Sequence, residues 1–197
     1  MMSMIRRVPV TTALLGGIVA TALVKRSVDG TALEQAASTN LENLRRRPVR
    51  SLLASAVVAE GDHWVAAALG TAGALGGLEY LAGTRRAVAI AVVGHVLPTL
   101  ATQAAVWSGV RTGRLPYSVR NQVDVGASYV ITAAVGGLVT LLPARLRLAV
   151  SAIALAAAAG EILISRQVVS AGHGLAFAVG YLASRVRRVR EWPRPIN

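Results

Sequence analysis

Two side chains in this sequence have the makings of an activated nucleophile. Ser128 lies in the stretch VDVGASYV, just as the chain turns apolar, and His173 opens another apolar run, GHGLAFAVGYL. An imidazole that takes a hydroxyl proton and later returns it to a leaving group is the chemistry this pair offers. Each also has a plain structural explanation: a helical serine bonds back to a carbonyl one turn earlier, and a histidine near a helix end sits comfortably at an interface. Around them stand few other polar groups. His63 heads a third apolar run that ends with Glu79 and Gly83. Glu79 is expected to pair with Arg85 or Arg86, His95 beside Pro98 reads as a core histidine, and Asp124 reads as a helix N-cap. No two of the three histidines have the i, i+4 spacing of a helical metal pair, so no metal site is expected.

The elements that must position these groups are apolar and long. Of 197 residues, 54% are apolar and 15% charged, against about a quarter charged in a soluble domain. The charges cluster between uncharged runs, each near the roughly 20 residues that cross a bilayer. Six spans follow, at about 8–24, 63–82, 87–110, 126–142, 148–164 and 169–186, with 187–197 as a basic tail. Ala20-Thr21-Ala22 resembles a signal-peptide cleavage site, but the basic residues directly after the first run favour a retained helix. The fold class expected is all-α: a single polytopic domain, 1–197, made compact by Ala and Gly.

The polar stretch between the first two spans, about 27–62, reads as a long loop with short interfacial helices. Ser38, Thr39 and Asn40 are candidate N-caps there, and Pro48 interrupts the helical spacing.

Net charge is +12, nearly all from arginine, since Lys25 is the only lysine. The arginines flank spans and do not interleave with aromatics, which argues for a membrane surface and against nucleic acid. With six spans the N-terminus, the GTRR and PARLR turns and the C-terminal tail share one side, so the expectation is a plasma (inner) membrane protein, N-in and C-in. There is no cysteine, which excludes disulfides, thiol catalysis and cysteine metal sites.

Taken together, the six spans, the long first loop, the G-x-S at Gly126–Ser128, H-x-x-A-x-x-x-G at His173, Ala176 and Gly180, and the spacing of His63, Glu79 and Gly83 resemble the rhomboid intramembrane serine proteases. STNLENLRRRPVRSLLASA and DVGASY are similar to a group of bacterial rhomboid-like membrane proteins of unassigned function. The resemblance implies a six-helix bundle, Ser128 and His173 as a catalytic dyad, and an oxyanion and substrate site that includes the Ser128 backbone N–H, Gly126 and His63. It implies structural roles for Glu79, Gly83 and Gly180, transmembrane protein substrates or clients as partners, and no cofactor. Two positions depart from the pattern: Tyr129 stands where the family has glycine, and Ala67 stands where it has an oxyanion-donating asparagine. Losing one such donor costs about 10²–10³ in rate. The first reading is an intramembrane serine protease that cleaves transmembrane segments with the Ser128–His173 dyad; the alternative is a catalytically inactive pseudoprotease on the same fold that binds or escorts membrane clients. A small transporter is disfavoured, because no repeat joins the two halves.

Overall fold

The computed structural model describes residues 7–165 and 168–190. Arg6, the candidate start methionines and the end of the basic tail, 191–197, lie outside the described residues. Within them every regular element is helical. Helix α1 is Pro9–Lys25; α2, Gly30–Ala37, α3, Leu41–Arg46, and α4, Pro48–Ser55, occupy the first loop. Helix α5 runs Trp64–Ala82, α6 Thr84–Arg111, α7 Ser128–Val139, α8 Ala144–Ser165 and α9 Val168–Arg190. A 3₁₀ turn, Tyr117–Asn121, interrupts the connector before α7.

Among the described residues, three helices are long and apolar enough to cross a membrane: α5, α6 and Ala144–Ile164 of α8. Helices α1 and α7 are apolar but shorter. With 12 residues, α7 rises about 18 Å, well short of the 126–142 stretch expected from sequence. Thr140 to Leu142 instead close turns on carbonyls three residues back. Helix α6 carries Pro98 without ending there; the Pro98 carbonyl accepts the Thr102 hydroxyl at 2.9 Å. Helix α5 widens into a π-turn at Thr71–Leu75, within a segment where Gly70, Gly73, Gly76 and Gly77 place little side-chain bulk.

Small residues set the core. A Cβ on Gly180 of α9 would land on the Ala133 carbonyl oxygen of α7, and one on Gly136 of α7 on the Phe177 carbonyl of α9. On α6, a Cβ at Gly94 would collide with that of Ala133. Helices α6, α7 and α9 thus meet backbone to backbone, as small residues allow inside membranes, with Leu75, Leu78 and Ile90 filling the space beside them. Helix α8 packs on the outside of this group against α9, and none of its most apolar window is buried within the chain.

Pro48 interrupts the helical spacing as expected: α3 ends at Arg46, and Pro48 starts α4 at the position where its missing N–H is harmless. One local expectation in the first loop is corrected. Of the three candidate caps only Asn40 caps, its side chain accepting from Asn43 N–H at 2.9 Å. Helix α4 also turns its face over. Ser51 and Ser55 are buried while Val49 and Leu53 point away from the chain, the orientation that suits a helix whose outer face meets lipid.

Candidate functional site

Glu79 sits near the end of α5 with 1% of its surface exposed. Its carboxylate does not reach for Arg85 or Arg86, as the sequence suggested. It accepts Val10 N–H at 3.1 Å, Thr11 N–H at 2.9 Å and the Thr11 hydroxyl at 2.8 Å. Those amides belong to the first turn of α1, where helical N–H groups have no partner of their own and the helix dipole favours negative charge. Glu79 therefore fastens α1 to α5. Gly83 follows it at φ +85°, a conformation suited to glycine, and its N–H closes the helix on the Glu79 carbonyl at 2.9 Å.

Asp124 is also corrected. The residue at the N-cap of α7 is Ala127, and no side chain caps that helix. Asp124 instead turns inward. Its carboxylate receives the Gln103 amide at 3.3 Å, its N–H donates to Ser38 Oγ at 2.9 Å, and its carbonyl accepts Thr39 N–H at 2.9 Å and the Thr39 hydroxyl at 3.0 Å. Gly126, at φ +120°, donates to the Ser55 carbonyl at 2.7 Å. Burial pushes the Asp124 carboxyl above its ordinary pKa, with Thr39, Gln103, His95 and His173 pulling the other way.

His95, 7% exposed, lies beside this network. Its Nε2 stands 3.0 Å from the Leu52 carbonyl and 3.1 Å from Ser55 Oγ. A core histidine was expected at this position; it pins the end of α4 onto α6. The first loop is thus fastened by His95 and Gly126 to the end of α4 and by Asp124 to the α2–α3 junction, while Lys25 holds Glu34 and Thr21 holds the Val57 carbonyl from the side of α1.

Ser128 is the first residue of α7, and its side chain is exposed. Its carbonyl accepts the Thr132 hydroxyl at 2.7 Å, and among the described residues its own hydroxyl makes no hydrogen bond to His173. The neighbour, Tyr129, is the buried one at 3%. Its ring meets the His173 ring edge-on, centroids 5.2 Å apart at 76°, and its hydroxyl lies where a side chain on residue 172 would be, so Gly172 makes room for it. His173 Nδ1 stands 2.9 and 3.0 Å from the two oxygens of Glu161 on α8. A carboxylate only accepts, so this contact puts a proton on Nδ1 and turns Nε2 away from Glu161. Below the pair, Ile131, Val135, Ala158 and Phe177 line a groove of about 290 Å³ between α7, α8 and α9. His63 is exposed at the N-cap of α5.

Glu161 is the residue that sequence reasoning passed over. It is the single acid in the fifth apolar run, 148–164, and an ionisable residue inside such a run calls for a partner; that signal was sufficient to find it. Among the described residues, no three histidine or carboxylate side chains cluster as a metal site would require.

The sequence matches the family of rhomboid-like proteins over residues 3–191. No curated protein matches it, and no solved structure does. A match across nearly the whole chain places it in that family: the chain belongs to the rhomboid-like proteins.

Proposed function

We propose that this rhomboid-like membrane protein is a non-cleaving member of its family, which holds transmembrane segments of client proteins in the groove between α7, α8 and α9. The observation that carries the reading is the placement of Tyr129. Its buried ring stands against His173 while the Ser128 hydroxyl faces outward. A base must lie within about 3.2 Å of the proton it abstracts, or one water away. Groove chemistry suits a passing helix: apolar walls with one polar pair, Glu161–His173, at the rim. The reading includes six crossings, N-in and C-in, in the plasma membrane.

A second reading has an observation of its own. Glu161 on Nδ1 resembles the acid that fixes the tautomer and orientation of a catalytic imidazole, with Ser128 as nucleophile, His173 as base, and His63 and Gly126 beside the oxyanion. One experiment separates the two. The purified, detergent-solubilised chain is treated with a fluorophosphonate probe, next to Ser128→Ala and Tyr129→Gly. The binding reading expects no labelling of the wild type, and labelling that Ser128→Ala abolishes would overturn it. Tyr129→Gly, which removes the ring between the helices, tests whether the hydroxyl becomes reactive once His173 is uncovered.

A further inference from the structure

At the opposite end of α8 and α9 lies a second groove, about 500 Å³, which shares Phe177 with the client groove. Its composition is graded along the helix axes. The two helices run antiparallel, so Arg147 on α8 and Arg185 on α9 share one end of the groove. One turn deeper come Ser151 and Tyr181, and one turn deeper again Leu155 and Phe177. Eight residues on each helix cover about 12 Å of depth.

The polar end is short of partners. Among the described residues no carboxylate pairs with Arg147 or Arg185; the Arg185 guanidinium lies over the Tyr181 ring, 5.0 Å from its centroid. The Ser151 hydroxyl is buried and has no hydrogen-bond partner. A buried, unmatched hydroxyl is unfavourable unless something else accepts from it. Two cations, then a donor about 6 Å further in, then an apolar wall reproduce the order of groups in a glycerophospholipid: phosphate, ester carbonyl, acyl chain. On the α8 side that wall is Leu155, on a helix none of whose most apolar window is buried within the chain.

We infer that this groove is a binding site for an anionic glycerophospholipid, its phosphate between Arg147 and Arg185, an ester carbonyl accepting from Ser151, and an acyl chain along Leu155 and Phe177. The site rests on α8 lying in the membrane and is independent of whether Ser128 reacts. Bound there, the lipid bridges α8 to α9.

Native mass spectrometry of the delipidated full chain tests it, titrated with phosphatidylglycerol and, separately, phosphatidylcholine of the same acyl chains. The wild type is expected to retain phosphatidylglycerol about tenfold better. Arg147→Gln/Arg185→Gln should erase that preference while helical content by circular dichroism is unchanged. Ala178→Trp, which fills the apolar wall, should weaken both lipids. An equal preference in wild type and the double variant overturns the site, and so does glycerol phosphate competing as well as the intact lipid. A dimer that Ala178→Trp dissociates, with no lipid preference in the wild type, assigns the groove to a second copy and also overturns it.

Discussion

At the scale of single residues, a buried carboxylate, Glu79, and a half-buried one, Asp124, do opposite things. Glu79 satisfies three donors, two of them orphan amides of α1. Glu79→Ala leaves all three unmatched and should destabilise by about 3 kcal/mol, whereas Thr11→Val removes one hydroxyl and should cost about 1 kcal/mol. Thermal unfolding in detergent measures both, and equal losses would contradict the capping role. Asp124 is held in a place that disfavours its charge. Its folded pKa lies above the unfolded value of about 4, so the folded chain binds this proton more tightly than the unfolded one. The stabilisation from this group is therefore complete below the unfolded pKa and fades as pH rises through the folded value. The difference in melting temperature, wild type minus Asp124→Asn, should grow as pH falls from 7 toward 4. A flat difference curve would show that the carboxyl titrates normally.

At the scale of elements, the contact between α7 and α9 leaves no room for even one methyl group. Gly180→Ala or Gly136→Ala must push two backbones apart, and each should lose about 2–3 kcal/mol. Gly160 on α8 has open space around its missing side chain, so Gly160→Ala should be neutral or stabilise by up to about 1 kcal/mol. Comparing the three melting temperatures checks the contrast; similar values for Gly180→Ala and Gly160→Ala would mean the helices are not in backbone contact. Much of this layout was legible in the sequence, because lipid demands long uncharged runs and close packing demands glycine and alanine. What was not legible is rotation. Ser128 and Tyr129 are adjacent, and about 100° of helical turn decides which of them meets His173; nothing local to VDVGASYV fixes that angle. The capping roles read for Ser38, Thr39 and Asp124 failed for a related reason. Their hydrogen bonds are spent on each other, some 85 residues apart in sequence, and a local rule cannot see a partner at that distance.

For the whole molecule, the arrangement of turns makes a topological prediction that the absence of cysteine makes simple to test. Single substitutions Glu60→Cys and Ser118→Cys lie in exposed connections, and Ala144→Cys lies at the exposed first residue of α8. With six crossings and the N-terminus inside, a membrane-impermeant maleimide should label the first two in intact cells and Ala144→Cys only after permeabilisation. Labelling of all three from outside would rule out six crossings. The result bears directly on α7, whose 12 helical residues separate Ser118 from Ala144 and must carry the chain between the two faces with help from the turns on either side.

The hold of Glu79 on the start of α1 has a consequence for how the protein is made. Translation is vectorial, and the ribosome delivers α1 to the bilayer well before α5. The free amides therefore wait for the acid, and when the acid enters the membrane its cradle is already there. Reversing that order, by moving the first helix to the end of a circularly permuted gene, would send a bare carboxylate through the translocon with nothing to receive it.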